Sequence, residues 1–448
     1  MSAVRVRSWR LLAAVALAAT IAAPQGSIAS AAAPPVADPV VEGPIAGGVR
    51  GRPWNASLTP LRGPRYDYTE EEYFFAGTAA AATGLAAPYQ SRMLVRLPRD
   101  RRRFSGTVLV EWLNVTGQSD FETAWPVEAD WLMRHGIGYV GVSAQAAGVC
   151  CGPTTLKGWD PVRYAPLLHP QDAFSYDIFS QAIRALRHPG KVNPMGGARL
   201  QHVVVTGASQ SAIYLTTFVN GGYNRGQVDL YVITRGGGPF DDFSTPIFQL
   251  NEENSAAPQP DNRRYVVWEE AGTAHAPSAW WNDYIWPEQQ RDLFFPGAPN
   301  AIDIACSVNH GPVQYSTRAL SHWVDRYLAT GKMPPRAPRV ATDGSGGIVR
   351  DANGLAKGGL RHAAVEVPVA YNSSTGCPLY GTFTPWSAGK IRSLYPTHGA
   401  YVRRITAWTA EEVRRGWLLP EDRDEVLRNA KAFTGPWTGG STAPLRGL

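Results

Sequence analysis

A serine flanked by small residues is the first candidate for chemistry in this chain, in the run Gly207-Ala208-Ser209-Gln210-Ser211. The run is close to G-x-S-x-G, a pattern in which a sharp strand-to-helix turn holds a serine oxygen out of a sheet. Its last position is Ser211, which is nearly as small as glycine. At such a turn the start of the helix directs free N–H groups toward a developing oxyanion. The run therefore predicts Ser209 as a nucleophile that attacks a carbonyl carbon.

A serine hydroxyl is a poor nucleophile at neutral pH, so it requires a general base. In sheets that carry this turn, the base lies on a loop after a later strand. His275 follows the predicted strand Tyr265–Trp268 and is the preferred base, and His310 is the alternative. His322 lies within a predicted helix and is a weaker candidate. Four other histidines precede the serine, against the expected chain order: His135, His169, His188 and His202.

The base in turn requires an orienting carboxylate, which lies between the serine and the histidine in chain order. The predicted strand Pro246–Leu250 is followed by a polar run that contains Glu252 and Glu253. We expect Glu253 to be the orienting acid, with Glu252 as the second choice. Asp241 and Asp242 follow an earlier strand and are weaker candidates.

Two backbone N–H groups are expected to stabilise the oxyanion. One belongs to Gln210, directly after the nucleophile, and the other to the loop after the predicted strand Thr107–Leu113. That loop begins at Asn114, so Asn114 or Val115 is the second donor. One such donor contributes roughly 3–4 kcal/mol of transition-state stabilisation in comparable enzymes.

An aromatic-rich segment of about residues 276–300 follows His275. Because it comes directly after the candidate base, we interpret it as a cap that lines an apolar acyl or aryl pocket. A packed core helix is the alternative. The candidate pocket residues are Trp280, Trp281 and Trp286.

The elements around Ser209 alternate between strands and helices. Three valines in His202–Ala208 predict a strand buried on both faces, and Ala212–Val219 is a mostly apolar helix. This alternation predicts an α/β fold with a mainly parallel central sheet and helices on both faces. Strands with Pro and Gly between residues 41 and 98 are typical of hairpins at a sheet edge.

The chain divides into three predicted regions by composition. Residues 1–33 resemble a cleavable signal peptide, with a basic start, a short apolar stretch and a small-residue cleavage site. Residues 34–333 carry the strand and helix pattern of a core. Residues 334–448 are richer in Pro and Gly and are predicted to form an extension packed on that core, with a short strand at 365–370 and a polar helix at about 409–432.

Charge and hydropathy narrow the possible partners. The 448 residues carry a formal net charge of +6. Removal of the signal takes three arginines with it and leaves +3, which is too weak to predict a nucleic-acid partner. The apolar stretch of the signal is too short to span a membrane, and no later stretch is long enough. We therefore expect a secreted protein without a transmembrane anchor, and the sequence leaves its oligomeric state open.

Four cysteines remain after the signal, and none of them has the C-x-x-C spacing of a zinc site. We favour a Cys306–Cys377 disulfide. Cys150 and Cys151 would then form an adjacent-residue disulfide or two free thiols. The proposed serine chemistry requires no metal and no other cofactor.

Several motifs together resemble the bacterial alpha/beta hydrolase domain proteins, a group of often secreted serine esterases. The similar stretches are Glu111–Val115, Tyr139–Gln145, Trp159–Tyr164, Gly207–Ser211 and Ala271–His275, with Leu360 to Val369, Cys377 and Gly381 in the C-terminal region. The resemblance covers nearly the whole mature chain. It implies the α/β-hydrolase fold, Ser209 as nucleophile and His275 as base. It also supports Glu253, because that group tends to carry a glutamate at the end of the corresponding strand.

These observations favour a secreted serine carboxylesterase that acts on a small-molecule or lipid-like ester through an acyl-enzyme. An exported peptidase or amidase would use the same three residues. A non-catalytic binding protein with this fold is the remaining alternative, since a fold alone does not fix a function.

Overall fold

The computed structural model describes residues 36–255, 259–293 and 297–448. The predicted signal peptide, residues 1–33, lies outside the described residues. The strands are β1 (Val40–Glu42), β2 (Arg62–Gly63), β3 (Tyr66–Ala80), β4 (Ala86–Pro98), β5 (Thr107–Trp112), β6 (Gly138–Val142), β7 (His202–Ala208), β8 (Leu230–Thr234), β9 (Ile247–Glu252), β10 (Tyr265–Glu270), β11 (Ala370–Cys377) and β12 (Gly381–Pro385).

The first described α-helix follows β5, and helices dominate the end of the chain. They are α1 (Trp125–Arg134), α2 (Ala146–Val149), α3 (Leu156–Trp159), α4 (Ser175–Arg187), α5 (Gln210–Asn220), α6 (Trp286–Asp292), α7 (Ala301–Cys306), α8 (Val313–Thr330), α9 (Ala363–Glu366), α10 (Ala388–Leu394), α11 (His398–Arg415), α12 (Pro420–Ala432) and α13 (Gly435–Thr438). A π-helical turn, Trp281–Ile285, precedes α6.

The central sheet has the strand order β1-β3-β4-β6-β5-β7-β8-β9-β10, with β2 paired to β3 at the edge. Strands β5 to β10 pair in parallel, whereas β1 to β4 are antiparallel to their neighbours. The predicted α/β fold with a mainly parallel sheet is confirmed. The nucleophile strand β7 lies between β5 and β8, so the loops that follow these strands meet at the same sheet edge.

Both faces of the sheet are covered by helices because the buried strands carry apolar side chains on both faces. In β7, Val203 and Val205 pack in the core on the side of α4 and α5. Val204 points the other way and packs in the core that contains α1 and α8. Successive residues of a strand face opposite sides, so a run of valines serves both layers.

Two elements near the end of the chain differ from the sequence prediction. Residues 363–366 form the short helix α9, and the strand begins only at Ala370. Pro368 lies between them and has no N–H for a sheet hydrogen bond. The predicted single helix at about 409–432 is two helices, because Gly416 ends α11 in the left-handed region at φ +77° and Pro420 begins α12.

The C-terminal residues pack on the rest of the fold. Trp417 and Leu419 join the core cluster that contains α1 and α8. A second cluster joins Tyr315 of α8 to α10, α11 and α12. The β11–β12 hairpin lies beside the loop after β10, since Ala276 N–H donates to the Leu379 carbonyl at 2.8 Å. This contact brings the C-terminal region to the edge of the sheet where β7 ends.

Candidate active site

Ser209 occupies the sharp turn between β7 and α5 that its neighbours predict. Its backbone has φ +59° and ψ −119°, an unfavourable region for a residue with a side chain. The turn is possible because its neighbours are small: a Cβ at Gly207 would lie 2.8 Å from Leu215 Cδ1 and 3.0 Å from Ser211 Cβ. The Ser209 N–H donates to the Thr234 carbonyl at 3.1 Å and fixes the turn to β8.

His275 lies in the loop after β10, and its imidazole is held by a carboxylate. The distance from His275 Nδ1 to Glu252 Oε1 is 2.6 Å. Glu252 is the last residue of β9 and is buried. Burial alone would raise the pKa of Glu252, yet the hydrogen bond from His275 and the charges of His275 and Arg235 lower this pKa to about 2. Glu252 is therefore an ionised partner for the imidazole.

The prediction of Glu253 as the orienting acid is wrong in this structure. One Glu253 oxygen accepts from the Ser374 N–H at 2.7 Å, and the other accepts from the Gly272 N–H at 2.7 Å. Arg350 also lies 3.1 Å from the Glu253 carboxylate. The strand β9 extends to Glu252, and successive side chains point to opposite faces. Glu253 is thus directed toward the C-terminal hairpin, and the second choice, Glu252, contacts His275.

Ser209 and His275 line the same cavity, which has a volume of about 210 Å³. Trp280 and Trp281 line this cavity, as predicted for the cap. Trp286 does not: its ring packs against Trp281 with 6.3 Å between ring centroids. Sequence reasoning missed Leu379 and Tyr380, which lie in the turn of the C-terminal hairpin and also line the cavity.

The two predicted oxyanion donors differ in availability. The Gln210 N–H is the first of α5, so no carbonyl within the helix can accept from it. The Asn114 N–H is already donated to the Phe121 carbonyl at 3.1 Å, so the prediction of Asn114 as a backbone donor is wrong. The Asn114 side chain instead donates to the Ala208 carbonyl at 2.9 Å and joins this loop to the end of β7.

Val115, the alternative second donor, has an N–H that makes only a long hydrogen bond. It points to the side-chain oxygen of Gln210 over 3.4 Å, which is a long hydrogen bond. The Gln210 side chain is itself held by Gln145 at 2.8 Å. The backbone N–H groups of Gln210 and Val115 are therefore the candidate oxyanion hole.

Arg235 is a further buried residue of this site that the sequence prediction missed. It follows β8 directly, and its guanidinium donates to the carbonyls of Ala274 and His275 at 2.9 and 2.5 Å. The same group lies 5.6 Å from the centroid of the Trp280 ring. Burial lowers the pKa of Arg235, and the nearby Glu252 carboxylate acts in the opposite direction. Its position directly after a strand of the parallel sheet was the available signal.

A second Ser-His-Glu set lies in the interior. Ser316 Oγ is 2.5 Å from His362 Nε2, and His362 Nδ1 is 2.6 Å from Glu412 Oε1. All three are buried, with exposures of 0%, 4% and 2%. No substrate can reach a serine enclosed in this way. The hydrogen bonds of this set instead connect α8 to the C-terminal helices. The alternative base, His310, stacks on Phe383 at 3.7 Å between ring centroids.

The favoured Cys306–Cys377 disulfide is present, and Cys150 and Cys151, whose state the sequence left open, are paired as well. Cys306 and Cys377 form a disulfide with a Cα–Cα distance of 5.5 Å, and Cys150 pairs with Cys151. The first bridge connects the end of α7 to β11. Among the described residues, no group of three or more His, Cys, Asp or Glu side chains is arranged to hold a metal ion. In the same part of the chain, no helix is both long and apolar enough to cross a membrane.

Comparison with known proteins places the chain in a family. A model described as alpha/beta hydrolase domain matches residues 41–428. No curated protein matches the chain. Solved structures similar to it include a brefeldin A esterase described as a bacterial homologue of human hormone-sensitive lipase (17% identity, TM-score 0.24, 40% of this chain and 43% of that chain).

A second similar structure is oligopeptidase B from Trypanosoma brucei, with 10% identity and a TM-score of 0.23 over 37% of this chain and 20% of that chain. A third is XC6422 from Xanthomonas campestris, described as an a/b serine hydrolase without lid, with 11% identity and a TM-score of 0.29 over 48% of this chain and 90% of that chain. The chain thus spans less than half the length of the esterase and a fifth of the oligopeptidase. The family model covers most of the present chain, and the chain belongs to the alpha/beta hydrolase domain family.

Proposed function

We propose that this protein is a serine carboxylesterase with Ser209 as nucleophile, His275 as general base and Glu252 as orienting acid. The observation that carries the proposal is the 2.6 Å contact between His275 Nδ1 and Glu252, with His275 and Ser209 on one cavity. Because Nδ1 donates its proton to Glu252, Nε2 is the acceptor for the Ser209 hydroxyl proton. The strained serine turn supports the same role.

The reaction proceeds in two halves. Ser209 Oγ attacks the ester carbonyl carbon while His275 takes the hydroxyl proton. The resulting oxyanion accepts hydrogen bonds from the N–H groups of Gln210 and Val115. The bond to the leaving oxygen breaks, His275 returns the proton to it, and the alcohol departs. Water then attacks the acyl-enzyme while His275 takes its proton, and His275 returns this proton to Ser209 Oγ as the Ser209–acyl bond breaks and the acid is released.

Covalent labelling tests the nucleophile. We expect a fluorophosphonate to add one adduct to the protein, which peptide mapping assigns to Ser209. Ser209→Ala should lose the adduct and lower kcat by orders of magnitude while it keeps the unfolding midpoint. An unlabelled, correctly folded protein would favour a binding protein and would contradict the proposal.

Substrate panels decide between ester and amide chemistry, which share the acyl-enzyme. We expect 4-nitrophenyl esters to be hydrolysed in preference to peptide anilides, because the cavity of about 210 Å³ is small for a polypeptide. Faster cleavage of the anilides would assign a peptidase or amidase.

We also propose that the protein is exported, on the basis of the signal-like residues 1–33. Expression of the full chain in a bacterial host and N-terminal sequencing of the extracellular protein tests this. Cleavage near residue 31–33 is expected, and retention of an uncleaved chain inside the cell would contradict export.

A further inference from the structure

The cavity beside Ser209 has apolar walls from two distant parts of the chain. The cap contributes Trp280, Trp281 and Ile285, and the hairpin turn contributes Leu379 and Tyr380. The two walls meet where the Tyr380 ring contacts Trp281 edge to face, with 5.0 Å between centroids. The turn between β11 and β12 is therefore part of the substrate pocket.

This turn is held in place on both sides. The Leu379 carbonyl accepts from the Ala276 N–H at 2.8 Å, and the Tyr380 carbonyl accepts from the Asn309 N–H at 2.9 Å. The Cys306–Cys377 disulfide fixes the hairpin just before the turn. These contacts make the turn a fixed wall of the pocket.

The described walls of the cavity carry no acidic or strongly basic side chain. Among the described residues that line the cavity, none is Asp, Glu, Lys or Arg. Tyr380 is neutral near pH 7 at the ordinary pKa of a phenol, and burial raises its pKa further, to about 12. A charged acyl group in this cavity would lose its hydration without contact to an Asp, Glu, Lys or Arg side chain of the described lining, which is unfavourable.

The volume limits the size of the bound group. An apolar protein cavity of about 150 Å³ holds one benzene molecule. The present cavity of about 210 Å³ is large enough for one ring with a short substituent. In the acyl-enzyme the alcohol has left and the acyl group remains on Ser209, so the acyl group is the part of the substrate that stays beside this cavity.

We infer that the enzyme prefers neutral esters with a compact apolar or aromatic acyl group, and that Leu379 and Tyr380 set the upper limit of acyl size. This inference rests on the proposed function, since it assigns the acyl specificity of the same serine. Both side chains act on substrate size through direct contact with the acyl group.

The test compares 4-nitrophenyl benzoate, butyrate and dodecanoate at a constant leaving group. We expect kcat/KM for benzoate and butyrate to exceed that for dodecanoate by at least about tenfold, because pocket fit discriminates on this scale. Leu379→Ala and Tyr380→Ala should reduce this ratio at least about fivefold, chiefly by improving dodecanoate hydrolysis.

Ile304→Ala is the matched control. Ile304 lies in α7 close to Cys306, is 76% exposed and does not line the cavity. This variant should keep the wild-type ratio. Fluorophosphonate labelling of every variant reports whether Ser209 is still reactive and separates loss of the nucleophile from a change in specificity.

Two outcomes would overturn the inference and leave the proposed function intact. In the first, the labelled wild type hydrolyses the dodecanoate ester as fast as the benzoate ester. In the second, the Leu379→Ala and Tyr380→Ala variants keep the wild-type ratio of the two kcat/KM values. An unlabelled wild type would overturn the proposed function instead. In that case calorimetry of Ser209→Ala with the same esters still tests the pocket. Binding of the benzoate without the dodecanoate would support the size limit, and equal binding would contradict it.

Discussion

The Nδ1 atom of His275 lies 2.6 Å from Oε1 of Glu252, whereas the adjacent Glu253 carboxylate accepts hydrogen bonds from Ser374 and Gly272. Two neighbouring glutamates thus have different surroundings: one contacts the candidate base and the other secures the C-terminal hairpin. The difference follows from the alternation of side chains at the end of β9.

Glu252→Gln should reduce kcat by about 10³- to 10⁴-fold, because an amide can stabilise the wrong imidazole tautomer and no longer stabilises the imidazolium. Steady-state kinetics on 4-nitrophenyl butyrate provides the measurement. Glu253→Gln is the matched comparison. It should lower the unfolding midpoint and have only a small effect on kcat. Equal kcat values for Glu252→Gln and the wild type would remove Glu252 from the mechanism.

Arg235 should act as a positioning residue, since its guanidinium holds the carbonyls of Ala274 and His275 and faces Glu252. We expect Arg235→Met to lower kcat/KM by about 10- to 100-fold. The loss should fall on kcat more than on KM, because Arg235 holds the backbone of the base and does not line the substrate cavity. Arg235→Lys should restore part of the lost kcat. A Met variant that is destabilised but keeps the wild-type kcat would indicate a structural role alone.

The Cys306–Cys377 bridge closes a sequence separation of 71 residues. Replacement of both cysteines by serine should lower the free energy of unfolding by about 2–4 kcal/mol. Chemical denaturation measures this change, and the Cys150→Ser/Cys151→Ser variant is the comparison, because its bridge joins adjacent residues. We also expect the Cys306/Cys377 variant to accept longer acyl groups, since the hairpin turn loses one of its attachments. Unchanged stability and unchanged acyl preference together would contradict this role of the bridge.

Glu128 should make stability fall as the pH rises. It is buried, which raises its pKa to about 8 from an ordinary 4.5. Between these values the folded protein keeps a proton that the unfolded chain has lost, so the free energy of unfolding decreases with increasing pH.

Glu128→Gln should remove this contribution and be more stable than the wild type at pH 8, on the order of a few kcal/mol. Urea unfolding at pH 5, 6, 7 and 8 measures the slope. Glu411→Gln is the control, because the hydrogen bonds from Arg414 and Arg415 lower the pKa of Glu411 to about 2, outside this range. An unaltered slope in Glu128→Gln would assign the pH dependence to other groups.

The local pattern around Ser209 was sufficient to predict the sheet, the serine turn and the histidine loop. Strand, small residues and helix are encoded within a few positions, and chain order limits where the base can lie. The acid was harder because the predicted strand ended at Leu250, whereas β9 continues to Glu252. Strand ends depend on pairing with neighbours such as β10, and a shift of one residue turns the other glutamate toward the histidine.

Other errors concern hydrogen bonds and packing contacts that the spacing of residues does not reveal. Asn114 was a reasonable donor by position, but its N–H is used in a bridge to Phe121. Leu379 and Tyr380 reach the cavity only because the hairpin packs on the loop after β10. No spacing within the sequence records such packing, so these residues could be identified only from the three-dimensional structure.

The position of the hairpin turn has a consequence for synthesis of the protein. Ser209, Glu252 and His275 are all translated well before Leu379 and Tyr380. A nascent chain that has just produced His275 holds all three reactive groups but lacks one wall of the site. Selective hydrolysis is therefore expected only after the C-terminal hairpin has been translated and has packed on the loop after β10. The substrate pocket is complete only when the last quarter of the chain has folded.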